Sequence, residues 1–179
     1  MVPDSFHDFF VATAGVAGAL IGLLFVALSV AQESGADRKP IQRVRAGAAM
    51  SALIDALLIS LFALLPDNDL SAAATVLAIV GLSSTAGLAV VLHGAHLPAR
   101  VARRQWALLM GLLVLYVIQL LVAQRADGKV ADAGAVNDLG VLVIVFFAIG
   151  IARAWELVDA PETGLIGTLR SRRRPPDED

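Results

Sequence analysis

The sequence predicts an all-α membrane protein, a polytopic bundle of about five transmembrane helices with its N-terminus outside and its C-terminus in the cytoplasm. Three observations predict it. The residues AVILMFWYC fill 58% of 179 positions and charged residues only 17%, against roughly 45–50% apolar and 25% charged in an ordinary soluble domain. The apolar residues gather into five runs, each near the length of about 17–25 residues that a bilayer-crossing helix requires. Arg and Lys, finally, fall unequally on alternate sides of those runs.

The spans are expected at Phe9–Val30, Ala46–Leu65, Ala72–Leu92, Trp106–Val122 and Leu139–Trp155. Residues 1–159 then form one membrane domain, and 160–179 a tail. The first span competes with a signal peptide, because Ser29-Val30-Ala31 has the small residues of a cleavage site. Against that, Met1–Asp8 contains no Lys or Arg, and the apolar run exceeds the usual length of about 7–15 residues. Cleavage would also leave Arg38–Arg45 outside, so the run is read as a retained helix.

Pro66-Asp67-Asn68-Asp69 ends the second span and turns into the third, since Pro cannot continue a helix and Asn and Asp favour turns. The two spans form an antiparallel hairpin. Pro98 marks the passage from the third span into a basic loop, and Asp127-Gly128 and Ala133-Gly134 break the chain before the fifth. The tail carries Arg170, Arg172, Arg173 and Arg174 followed by Asp177, Glu178 and Asp179, and is expected to be solvated and disordered.

Orientation follows from the basic residues. Arg38, Lys39, Arg43, Arg45, Arg100, Arg103, Arg104, Arg153 and the four tail arginines share one side, whereas the other holds only Arg125 and Lys129. The richer side is the cytoplasm, and Trp106 and Trp155 fall at that boundary, where indole rings are enriched. Twelve Arg to two Lys, among many Ala, point to a high-GC bacterial genome and hence to the inner (plasma) membrane.

Composition excludes several functions. A net charge of −2 offers no broad basic field for nucleic acid. Without Cys there is no disulfide, iron–sulfur cluster or thiolate zinc site. No cofactor loop and no protease motif such as His-Glu-x-x-His occurs, so the chain is not read as an enzyme. His93 and His96, three apart on one helical face, are weak metal candidates because zinc needs three or four ligands.

Asp55 is the most informative residue, being ionisable near the centre of the second span. A charge there costs about 2.5–3.5 kcal/mol on insertion scales, so the group must face protein or water and take up a proton, a cation or a hydrogen-bond partner. Ser84 and Thr85, near the middle of the third span, are expected at the same depth and complete a candidate ion or proton site. Gln119 is a further buried amide, placed nearer the outer face. Arg153 is expected to snorkel to the headgroups or to turn inward toward a carboxylate. Ala14, Gly18 and Gly22 form a ridge at four-residue spacing, where helices approach closely, either within the chain or between two copies.

The stretch His7-Asp-Phe-Phe, Ala14-Gly15, Ala19-Leu-Ile-Gly22-Leu-Leu-Phe25-Val-Ala-Leu-Ser29 resembles the opening span of small, uncharacterised actinobacterial membrane proteins. Some of these are labelled modulators of a membrane AAA protease. The resemblance covers about the first thirty residues and implies no catalytic or binding residue. Two functions of different class therefore stand. One is a small oligomeric ion-conducting or proton-coupled protein using Asp55, Ser84 and Thr85. The other is a non-transporting partner or regulator of another membrane protein or membrane protease. The expected partners are the lipid bilayer, a second copy and another membrane protein.

Overall fold

A computed structural model describes residues 4–33, 40–66, 69–95, 97–125 and 133–158. After a 3-10 turn at Asp4–Phe6 come five helices: α1 (His7–Glu33), α2 (Pro40–Leu64), α3 (Leu70–His93), α4 (Ala99–Arg125) and α5 (Ala133–Val158). Among the described residues there is no strand. All five helices are long and apolar enough to cross a membrane. The reason is visible on their outer faces: Val16, Leu23, Phe25, Val80, Val90 and Ile144 are all more than half exposed, a surface that water would not tolerate at this extent. Closing every backbone hydrogen bond within a segment is what makes helices suited to lipid.

The helices outrun the apolar stretches that announced them. α4 begins at Ala99 and α5 at Ala133, several residues before the apolar runs begin at Trp106 and Leu139. The basic segment before the fourth span is therefore helix rather than loop. Arg is a good helix former, and no Pro stands between Ala99 and Arg125. Pro98 accepts from Val101 and Ala102 at 2.9 and 3.0 Å and so starts the helix. Ala133 and Gly134 likewise belong to the first turn of α5 instead of breaking the chain before it. Pro40 opens α2, where its fixed φ and missing N–H cost nothing. Asp69 caps α3 through its side chain, accepting from Ala72 N at 3.1 Å.

α2 is the axis of the bundle. Half of its apolar window is buried, against 17% for α1, and it packs on α1, α3 and α5, while α4 closes against α3 and more lightly against α5. Its alanines explain the position: Ala48, Ala52 and Ala56 recur every four residues, and all are fully buried. Small side chains let neighbouring backbones approach, and in lipid such close packing replaces the hydrophobic force. Neighbouring helices run antiparallel, as the cross-helix pairs Thr13–Ser60, Ser51–Ser84, Gly81–Tyr116 and Arg45–Glu156 require. One end of the bundle therefore gathers Arg43, Arg45, Arg100, Arg103, Arg104 and Arg153 with the exposed Trp106 and Trp155, and the other gathers Asp8, Asp69 and Asp138.

Candidate functional site

Two polar networks lie inside this apolar frame. The first is built on Asp55, which α2 turns inward to 4% exposure. Its partner is Gln119 of α4, wholly buried, whose Nε2 donates to Asp55 Oδ1 at 3.4 Å and to Ala74 O of α3 at 3.1 Å. One amide thus ties three helices. Both amide hydrogens are used, and among the described residues Asp55 Oδ2 and Gln119 Oε1 have no hydrogen-bond partner. One turn away on α4, Tyr116 is buried between Gly81 of α3 and Phe146 of α5, its ring centroid 5.0 Å from that of Phe146. Tyr116 lies so close to Gly81 that any Cβ there would collide with the ring.

The hydroxyl groups named with Asp55 take other partners. Ser84 Oγ is 2.8 Å from Ser51 Oγ, one turn before Asp55 on α2, and Thr85 donates to Gly81 O of its own helix at 2.8 Å. The register of the α2–α3 hairpin is responsible: pairing 51 with 84 sets Asp55 beside the residues one turn before Ser84. Gln119 was the residue that reached Asp55. The amide is placed there because α3 and α4 pair Ala74 with Gln119 and Ser71 with Ala123, whose carbonyl accepts from Ser71 Oγ at 2.8 Å.

The second network closes the arginine end. Arg153 is turned inward, 3% exposed, and its Nη1 donates to Gln105 Oε1 at 2.9 Å and Glu156 Oε2 at 3.0 Å. Arg104 Nη2 meets Glu156 Oε1 at 2.8 Å. Arg45 Nη1 donates to Glu156 O at 3.1 Å, and its Nε lies 3.4 Å from Glu156 Oε2. One carboxylate on α5 thus gathers guanidinium groups from α2, α4 and α5. Gln105 and Glu156 were not singled out in the sequence. The available signal was an acid three residues after Arg153, on the same helical face, at an otherwise basic end.

The small-residue ridge of α1 faces away from the bundle. Apart from the chain neighbours and the backbone of α1 itself, no atom lies within 4 Å of where a Cβ on Gly15, Gly18 or Gly22 would stand, and Ala14 is half-buried. α1 instead buries Phe10, Ala17 and Leu24, and meets α2 where Leu24 packs with Ala49 and Leu53 and through the 2.8 Å pair Thr13–Ser60. His93 is exposed in the last turn of α3, and His96 lies outside the described residues, as does the tail. Among the described residues no three His, Asp or Glu side chains gather as metal ligands.

Comparison with protein-family profiles, with curated proteins and with solved structures finds no match.

Proposed function

We propose that the chain is a multi-pass protein of the bacterial inner membrane, N-terminus out and C-terminus in, whose working group is Asp55, taking up a proton or a cation within the bundle as part of ion conduction or proton-coupled transport. The observation that carries the reading is the pair of buried acceptors. Asp55 Oδ2 and Gln119 Oε1, from two helices, sit on one hydrogen-bonded carboxyl–amide pair and meet no donor among the described residues. Buried acceptors of this kind call for a proton, a water or a cation. An ionisable group held so in a membrane span is a functional group by default. Ser51, one turn from Asp55 on α2, pairs its hydroxyl with Ser84 of α3.

The test is proton and cation flux from purified protein in liposomes, wild type against Asp55→Asn at matched incorporation. The amide keeps the shape and one acceptor oxygen but cannot release a proton. Loss of flux in the variant is the expected result, and a wild type silent across ions and pH overturns the reading. Orientation rests on the arginine asymmetry, and a Gly35→Cys variant labelled only from outside overturns that part.

A second reading, a non-transporting partner or regulator of another membrane protein, is favoured by the outward ridge of α1. Gly15, Gly18 and Gly22 leave a flat strip that no other helix of the described chain occupies. Gly18→Leu with Gly22→Leu then weakens association with a second copy or a partner in detergent, while an unchanged assembly mass removes this reading.

A further inference from the structure

The cluster at the arginine end has more positive charge than it neutralises and more donors than it uses. Arg45, Arg104 and Arg153 share the single carboxylate of Glu156, which leaves two positive charges in excess. Each Glu156 oxygen already accepts from one guanidinium. Among the described residues Arg153 Nη2 and Gln105 Nε2 are buried donors without a hydrogen-bond partner, while Arg45 Nε, which also makes no hydrogen bond, faces Glu156 Oε2 at 3.4 Å. Gln105 is wholly buried and Arg153 nearly so. The free nitrogens belong to the same guanidinium and the same amide that are bonded to each other through Nη1 and Oε1 at 2.9 Å. Arg104, 66% exposed in its side chain, stands at the outer rim, and Arg45, at 22%, between rim and floor.

We propose that this cluster is a binding site for a phosphate-bearing anion, with Arg153 and Gln105 as its floor, Arg45 as its wall and Arg104 as its rim. A phosphate oxygen accepts without donating, which is what a set of unmet donors requires, and guanidinium forks match its geometry. Glu156 holds the three guanidiniums in place and leaves the residual charge to attract the ligand. The position selects the same chemistry. Arg45 lies in the second turn of α2, Arg104 in the second turn of α4 and Arg153 near the last turns of α5, the level at which a membrane-crossing helix meets lipid headgroups. The phosphate comes either from an anionic lipid or from solution. The inference is independent of the role given to Asp55.

The test uses the full chain in two settings. In the first, protein is reconstituted with mixed phosphatidylglycerol and phosphatidylcholine, extracted in mild detergent, and its retained lipids are weighed by native mass spectrometry. In the second, protein in phosphatidylcholine nanodiscs is titrated with inorganic phosphate while thermal unfolding is followed. Arg104→Gln removes a rim charge without touching the buried floor, and Arg103→Gln removes an exposed neighbour that takes no ion pair among the described residues. Preferential retention of phosphatidylglycerol, reduced about fivefold by Arg104→Gln and unchanged by Arg103→Gln, assigns the site to a lipid phosphate. Stabilisation by inorganic phosphate with the same pattern across the variants assigns it to a soluble one. No response to either probe overturns the proposal. So does an equal loss in both variants, since that outcome shows diffuse surface charge rather than a built site.

Discussion

At mid-bundle, Asp55 and Gln119 leave two acceptor oxygens unmet, whereas at the arginine end Gln105 and Arg153 each leave a donor nitrogen unmet. Each network holds a buried amide of α4: Gln119 ties α4 to α2 and α3, and Gln105 ties it to α5. They differ in what the amide faces. Gln119 spends its two hydrogens on oxygens and presents its own oxygen, while Gln105 spends its oxygen on a guanidinium and presents hydrogens. The first network can therefore receive a proton or a cation and the second an anion. Depth accords with the sign. A group that can be made neutral by one proton sits far from the ends of its helix, and groups that stay charged sit where their helices reach the headgroups.

The largest expected effect breaks the second network while sparing the first. Glu156→Gln removes the one acid that three guanidiniums share, leaving Arg153 buried without a counter-charge. Losing one partner of a buried pair costs about 3–5 kcal/mol, and the partial exposure of Glu156 puts the expected loss near the lower bound, about 3 kcal/mol. Asp55→Asn, by contrast, exchanges an acid for an amide of the same shape and is expected to stay within about 1 kcal/mol of wild type. Denaturant unfolding in detergent measures both. Equal losses would mean that the two networks do not differ in the way their unmet atoms indicate.

A packing change near the first network comes next. Gly81→Ala drives a methyl into the ring of Tyr116, one turn from Gln119 on α4. Overpacking of this sort costs typically about 1–3 kcal/mol, and here it also shifts the helix that carries the amide. Gly111→Ala, with nothing within 4 Å of the new methyl, is the control, expected to be neutral or stabilising by up to about 1 kcal/mol. The pair is read by thermal unfolding, and flux from Gly81→Ala reports whether the Asp55–Gln119 contact moved.

Five apolar runs made the helices legible, because lipid imposes length and apolarity on every span, and both are written locally in sequence. Asp55 was legible for the same reason, as an exception to that rule. Its partner was not. Nothing in the run around Gln119 tells that it meets Asp55 rather than lipid headgroups, since the register of α4 on α3 and α2 is set by packing across three helices. Ser84 and Thr85 show the converse: their hydroxyls go to Ser51 and to Gly81 O, and which residues of α3 stand beside Asp55 is set by a hairpin register that the sequence does not display. Small residues were noticed on α1, where glycines stand out, while the spacing Ala48, Ala52, Ala56 that builds the core of α2 is hidden in a composition rich in alanine.

Gln119→Leu asks whether the first network holds the bundle together or is merely carried by it. The single change strands Asp55 beside an apolar side chain and leaves Ala74 O without its amide donor. A loss of about 1–2 kcal/mol is expected. Adding Asp55→Leu removes the stranded acid, and the double variant is expected to recover most of that loss, because two apolar partners leave no buried carboxyl to satisfy. Unfolding of the two variants side by side decides it. A double variant worse than the single would make the carboxyl itself a source of stability.

The smallest effect is expected at the hydroxyl pair between the networks. Ser51 and Ser84 bond across α2 and α3 at 2.8 Å, yet a serine that loses a cross-helix partner in an apolar span has another acceptor ready. Ser60 and Ser83 donate to carbonyls of the preceding turn in their own helices, at 2.7 Å in each case. Either serine of the pair can rotate to do the same when its partner is gone, so the alternative to the cross-helix bond is another hydrogen bond and not a bare hydroxyl. The coupling between Ser51→Ala and Ser84→Ala should therefore be near the average for interhelical hydrogen bonds in membranes, about 0.6 kcal/mol. A double-mutant cycle on unfolding free energy measures it. Coupling of about 2 kcal/mol or more would show that the pair acts together with Asp55, one turn away, and would extend the acceptor-rich network along α2 toward the arginine end.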